Sequence, residues 1–182
     1  MKNIIIVAII TLILLGGICC DGLKVASFKN EIARYDGEGE IHDISFRYLL
    51  CKIKGYEIEF PDFPLDKPIS LSYNLSNLPI LEESPYIFFN VTAVKEKQDI
   101  GKITITVTGA EGNILTQLTD ANAKDLIWSS ESGNQYFHLY HLDKSTFTPK
   151  RSEKYILKFK LVPNIKLNSG VGSVYIRCGG HI

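Results

Sequence analysis

Strict alternation of apolar and other residues near the C-terminus constrains the fold more than any other feature of this 182-residue chain. In Lys154–Leu161 every second residue is apolar, and lysines stand among the residues between them. A β-strand points successive side chains to opposite faces, so the pattern indicates one buried and one solvated face. Ser173–Gly180 repeats it, with Val174, Ile176 and Cys178 on one face. The two runs predict a closing β-hairpin.

The same alternation recurs along most of the chain after residue 43. It is clearest in Ile69–Leu75 and in Lys102–Thr108, where threonines alternate with branched apolar residues. Tyr86–Val94 is apolar on both faces, which is typical of a central strand. About eight strands with intervening turns predict an all-β fold. We expect a two-sheet antiparallel β-sandwich, jelly-roll or immunoglobulin-like, with a small closed barrel as the alternative.

Four further segments carry weaker patterns. Ile44–Ile53 alternates well enough to predict a single strand, although some of its apolar residues also fit a helix. Tyr136–Leu142 predicts a strand of aromatic, His and Leu residues. Asp120–Gly133 is the least strand-like part, and a short helix or a loop is expected around Asp125–Trp128. Leu23–Tyr35 fits either a short amphipathic helix or a tether.

The N-terminus predicts a secretory signal peptide. Lys2 is followed by the apolar run Ile4–Leu15 and then by small residues. The run is shorter than the roughly 20 residues that a transmembrane helix needs. We therefore divide the chain into a signal peptide or lipoprotein leader, a tether or short helix, and a β-sandwich domain: residues 1–20, 21–43 and 44–182.

Two adjacent cysteines at the end of the leader bear on localisation. Cys19 and Cys20 follow the apolar run, as the lipidated Cys does in bacterial lipoproteins, so both are lipidation candidates. Neither cysteine is preceded by the full set of residues found before the lipidated Cys of lipoproteins. Cleavage by an ordinary signal peptidase after Cys19 would instead have small residues, Gly17 and Cys19, at the two positions that determine the cut. We expect an exported protein, either periplasmic or membrane-anchored through a lipid, with a secreted protein as the alternative.

The two remaining cysteines, Cys51 and Cys178, lie in the predicted sandwich. Thiols left over in an oxidising compartment often pair, so we predict a Cys51–Cys178 disulfide. The loop that it closes is long, and the chain-entropy model gives about 4–5 kcal/mol of stabilisation as an upper figure. Two separate buried thiols are the alternative, because burial suits cysteine well.

Composition and motifs exclude several functions. The formal net charge is +0 and no basic residues cluster, so we expect no nucleic-acid partner. The chain carries no nucleophile elbow, HExxH, phosphate loop or dinucleotide fingerprint, so we do not expect an enzyme or a cofactor. His138 and His141 are three apart on a predicted strand and point to opposite faces, so no metal site is expected.

An aromatic group near the predicted strand Tyr136–Leu142 is the candidate ligand site. Tyr136 and Tyr140 share one face of that strand, and Trp128 is close in sequence. An exposed aromatic row of this kind can hold sugar rings, which points to a carbohydrate-binding module. Core or inter-sheet packing is the alternative, because aromatic residues are enriched in strands.

The leader and the last strands resemble a loose class of small exported bacterial proteins of unknown function, many of them lipoproteins. The resemblance lies in Lys2 with the Ile4–Leu15 run, in the Cys19-Cys20 pair, and in the ends Lys154–Leu157 and Tyr175–Gly180. Some members are immunity proteins that neutralise a toxin, which implies a non-enzymatic role and a protein partner in the cell envelope. Partner binding is therefore the leading hypothesis, and the carbohydrate-binding module is the alternative.

Overall fold

The structure is a computed structural model with side chains. For residues 47–48, 51–52, 127–131 and 134–138 the structure describes the backbone but not the side chains. The described residues are 27–48, 51–81, 85–91, 101–122, 127–131, 134–138, 149–163 and 171–179. The leader, with Cys19 and Cys20, therefore lies outside them. Among the described residues, no helix has the length and hydropathy needed to cross a membrane.

The described residues form thirteen strands in two main antiparallel sheets and one small hairpin. The larger sheet has the order β1-β4-β13-β7-β11-β10, with β5 also paired to β13, and the smaller sheet has the order β6-β12-β8-β9. The hairpin pairs β2 with β3. The strands are β1 Glu40–Asp43, β2 Phe46–Tyr48, β3 Cys51–Ile53, β4 Gly55–Glu59, β5 Phe63–Pro64, β6 Ile69–Ser76, β7 Tyr86–Val91, β8 Gly101–Gly109, β9 Ile114–Asn122, β10 Ile127–Glu131, β11 Asn134–His138, β12 Lys154–Pro163 and β13 Val171–Gly179.

The two sheets pack face to face through their apolar residues, which confirms the predicted β-sandwich. Phe159 on β12 contacts rings of the opposite sheet, with centroid distances of 5.6 Å to Phe63 and 5.1 Å to Phe89. Phe60 stacks on Tyr73 at 4.1 Å in the same inter-sheet layer. The residues of β12 and β13 that alternation placed inward are buried, as predicted: Tyr155, Leu157, Phe159, Leu161, Val174, Ile176 and Cys178.

The predicted closing hairpin is wrong. Strand β12 pairs with β6 and β8, whereas β13 pairs with β4, β5 and β7, so the last two strands lie in different sheets. Alternation determines which side chains of a strand face the core, but it leaves the neighbouring strand open. Each of these two strands is flanked on both sides within its own sheet, and both send their apolar faces into one core.

Two other segments differ from their predictions. The single strand expected over Ile44–Ile53 is the β2–β3 hairpin, in which Phe46 lies opposite Ile53. Of the loop or helix expected around Asp125–Trp128, residues 125–126 lie outside the described residues, and the chain from Ile127 onwards is strand β10, which pairs with β11. Pairing with a neighbour decides strand formation in such weakly patterned segments, because β-propensity depends strongly on context.

The free edge of β6 is covered by the chain that precedes β1. Residues 27–32 form a short helix whose Phe28 is buried against the core. The amides of Asp36 and Glu38 then donate to the carbonyl oxygens of Ser76 (3.2 Å) and Asn74 (2.8 Å) on β6. An exposed strand edge invites pairing with other chains, and this segment blocks it.

Candidate functional site

The outer face of the larger sheet carries a connected set of aromatic and polar side chains. Cross-strand register places Tyr175 beside Glu59 and Phe88, and places Arg177 beside Glu57 and Tyr86. Paired residues of an antiparallel sheet share a face. We call this surface the polar–aromatic face, and it comprises Glu57, Glu59, Tyr86, Phe88, Asn90, Ser173, Tyr175 and Arg177.

Tyr175 lies at the centre of this face. Its hydroxyl donates a hydrogen bond of 2.9 Å to Glu59 Oε1. Burial raises the pKa of Tyr175 above its ordinary value; the nearby Ser173 hydroxyl partly opposes this, and the Glu59 carboxylate adds to it. His42 on β1 extends the network, with its Nε2 3.8 Å from Glu59 Oε2. The phenol therefore stays protonated and fixes the Glu59 carboxylate.

Arg177 is held by an ion pair and an aromatic ring together. Its Nε donates to Glu57 Oε2 across 2.6 Å, and its guanidinium carbon lies 5.1 Å from the centroid of the Phe88 ring. The Tyr86 ring meets Phe88 edge-on at 4.4 Å. The buried Phe88 ring therefore contacts both Tyr86 and Arg177 and holds their side chains in place.

One end of the face is buried and polar. The Ser173 hydroxyl donates to Asp62 Oδ1, and Asn90 lies beside Ser173 in the register. Both Asn90 and Ser173 are buried although they point away from the core. Asn90 Oδ1 has no hydrogen-bond partner within the described part of the chain. A buried polar atom of this kind is where a ligand or an ordered water is expected to bind.

The outer face of the smaller sheet is a contrasting surface. Its outward side chains include Ser70, Ser72, Lys158 and Lys160, all of which are exposed. An exposed face of serines and lysines is what a solvated sheet requires for solubility. The polar–aromatic face differs because its side chains are buried or half-buried and are bonded to each other.

The structure separates the residues of the predicted aromatic site. Tyr136 lies opposite Asn90 in the β11–β7 register, so its register position is on the same side of the sheet as the polar–aromatic face. Trp128 lies opposite Phe137, which in turn lies opposite the core residue Phe89. Trp128 and Tyr136 therefore belong to register positions of opposite faces. Tyr140 lies outside the described residues.

The predicted disulfide is not seen in the structure and stays a prediction. Cys178 is a buried thiol on β13, whereas the side chain of Cys51 on β3 is outside the description. The hydroxyl of Tyr56 is buried near Cys178. Burial and, after it, this thiol raise the pKa of Tyr56 well above its ordinary value.

Sequence reasoning missed most of the polar–aromatic face. It assigned no role to Tyr175 and Arg177, or to Glu57 and Glu59. The Glu57 side chain is only 17% exposed and is paired with Arg177. A helpful signal was the opposite charge of outward residues on two strongly alternating strands, which makes them candidates for cross-strand pairing.

Comparisons with known proteins leave the family open. No protein-family model matches the chain, and no curated protein matches it. One solved structure with some likeness is Caldicellulosiruptor saccharolyticus CBM27-1 in complex with mannohexaose. It is 12% identical, the match covers 77% of this chain and 81% of that one, and the TM-score is 0.36. A likeness at this level says nothing about what this chain binds.

Proposed function

We propose that the protein is a non-catalytic module that binds a neutral polysaccharide on the polar–aromatic face. The contrast between the two outer faces carries the proposal, because among the described residues only the polar–aromatic face combines aromatic surface with fixed hydrogen-bonding groups. Sugar rings offer apolar faces and many hydroxyl groups. Half-buried Tyr86 and Tyr175 suit the ring faces, whereas Glu57, Glu59 and Arg177 suit the hydroxyls.

The charge of the face favours a neutral ligand. Glu57, Glu59 and the adjacent Asp62 supply three negative charges, and Arg177 supplies one positive charge. Their field repels uronic acids and sulfated sugars, because like charges across an interface oppose binding. Uncharged hydroxyl groups meet no such repulsion and can donate to the carboxylate oxygens.

Preorganisation supports the same proposal. The Glu57–Arg177 and Glu59–Tyr175 pairs hold their side chains in place before a ligand arrives. Binding then orders fewer side chains and loses less conformational entropy. The predicted export of the protein fits this role, since polysaccharides of cell walls and matrices are met outside the cytoplasm.

Affinity gel electrophoresis of the full-length protein tests the proposal. We expect retardation by at least one of β-glucan, xylan and galactomannan, and none by pectate, which is anionic. Tyr86→Ala removes an aromatic surface and is expected to abolish retardation. Ile114→Ala is the matched control, because it removes an exposed apolar side chain (58% exposed) from the other sheet. Retardation by none of the neutral polysaccharides, or by pectate alone, would refute the proposal.

Binding of a protein partner is the second candidate, and an edge strand of the described smaller sheet favours it. Within the described smaller sheet β9 is an edge strand, and Ile114 at its start is exposed. Edge strands accept partner strands by main-chain pairing. Co-purification of the tagged protein from its envelope fraction distinguishes the two functions. A stoichiometric partner that is lost with Ile114→Lys and kept with Tyr86→Ala would favour this candidate.

A further inference from the structure

A concavity of about 130 Å³ lies away from the polar–aromatic face, where the N-terminal helix meets two turns. The helix supplies Glu31, the turn after it supplies Arg34, the segment after β6 supplies Leu78 and Ile80, and the turn before β12 supplies Arg151. Leu78 is buried and Ile80 is partly exposed, so the concavity has an apolar part beside two guanidinium groups.

Two of the residues that line the same concavity have unusual backbone conformations. Asn77 and Ser152 have φ values of 55° and 59°, in the left-handed region that side chains disfavour. Among the described residues the other non-glycine with positive φ is Asp120, on β9. Asparagine tolerates this conformation, whereas a serine in it is strained, and strained residues cluster at ligand sites. The backbone conformations of Asn77 and Ser152 are an observation on this concavity that is separate from its charged side chains.

Arg151 is available to an incoming anion. Its Nη2 lies 3.9 Å from Glu31 Oε1, which is longer than the roughly 2.7–2.9 Å of a close charge-assisted hydrogen bond. The guanidinium fork is therefore not engaged in a tight bidentate pair with Glu31. Arg34 brings a second planar fork to the same rim. Such forks match the two oxygens of a carboxylate.

We propose that this concavity binds a small carboxylate with a short branched apolar body. Arg34 and Arg151 hold the carboxylate, and Leu78 and Ile80 contact the apolar body. A cavity of roughly 150 Å³ accommodates a benzene molecule, so an apolar body of about four or five carbon atoms suits the volume. The carboxylate belongs either to a free acid or to the C-terminus of a peptide chain.

NMR titration of the full-length protein with isovalerate tests the proposal, and isovaleramide is the uncharged control. We expect saturable shifts at Leu78, Ile80 and Ser152 with isovalerate and none with the amide. Arg151→Gln is expected to weaken binding by about tenfold, because it removes a hydrogen bond between charged groups. Lys158→Gln makes the same charge change on the smaller sheet and is expected to have no effect.

A second probe separates the two sources of the carboxylate. If Gly-Gly-Leu with a free carboxylate binds more tightly than isovalerate, the site takes a peptide C-terminus. If it binds equally or less tightly, the site takes a free acid. Three results would overturn the proposal: no saturable shifts with either probe, equal binding of isovalerate and isovaleramide, or unchanged affinity in both Arg34→Gln and Arg151→Gln.

Discussion

Tyr175 and Glu59 lie opposite each other on neighbouring strands, and the Tyr175 hydroxyl donates a hydrogen bond of 2.9 Å to Glu59 Oε1. This bond connects β4 to β13, the middle strand of the polar–aromatic face, on the side of the sheet away from the core. It also fixes a carboxylate that would otherwise be free to rotate. The pair therefore contributes both to stability and to the shape of the proposed binding surface.

Tyr175→Phe is expected to lower the free energy of unfolding by about 1 kcal/mol, because it removes one hydrogen bond to a charged group at a half-buried position. Polysaccharide binding is expected to weaken as well, since Glu59 loses its fixed orientation. Urea denaturation and affinity electrophoresis measure the two effects. Glu59→Gln keeps an acceptor oxygen and is the matched variant. A Tyr175→Phe protein with unchanged stability and binding would contradict this role for the pair.

Tyr155 makes stability depend on pH above 10. Its hydroxyl accepts a hydrogen bond from the Lys150 amide (2.7 Å) and donates one to Glu153 Oε2 (2.8 Å). Burial raises the pKa of Tyr155 from 10.0 to about 12. Between these values the unfolded chain releases its proton while the folded chain keeps it, so stability falls as pH rises from 10 to 12.

Denaturation curves at several pH values between 9 and about 12 check this expectation. In Tyr155→Phe the decrease in stability over this range is expected to be smaller than in the unchanged protein, because one raised pKa has been removed. At neutral pH the same variant is expected to be about 1 kcal/mol less stable, since the Lys150 amide loses its acceptor. Identical pH profiles for the two proteins would show that Tyr155 does not control the alkaline limb.

For the strongly alternating strands, the sequence predicted which face is buried. It did not predict which strands lie beside each other. Alternation in Lys102–Thr108 assigned Ile103, Ile105 and Val107 to the core, and all three are buried. The same reasoning joined β12 to β13 because they are consecutive in the chain. The structure instead places β8 and β6 beside β12, and that choice depends on which strands complete a common core.

The polar–aromatic face depends on contacts between distant parts of the chain, which explains why the sequence could not predict it. Arg177 and Glu57 are 120 residues apart, and Tyr175 and Glu59 are 116 residues apart. Tyr136 was proposed as a ligand-binding residue from its local strand pattern, and that role stays a prediction. Its separation from Trp128 depends on the β10–β11 register, which a single chain pattern does not specify.

The Cys51–Cys178 disulfide is expected in protein that has been exported through its own leader. Thiol labelling of this protein after denaturation without reductant is then expected to modify neither residue. Labelling of both would contradict the bond. In reduced protein, native Cys178 is expected to resist labelling, because it is 1% exposed on β13. Rapid modification of native Cys178 would show that this part of the core opens readily.

Phe159 is expected to be among the most sensitive core positions, because it contacts Phe63 and Phe89 of the opposite sheet. Phe159→Ala removes a fully buried ring and leaves a cavity between the sheets, which is expected to cost about 3–5 kcal/mol of unfolding free energy. Ile114→Ala, at an exposed position, is expected to stay within about 0.5 kcal/mol. Urea denaturation of both variants measures the difference. Equal and small changes would mean that the two sheets do not pack through this aromatic layer.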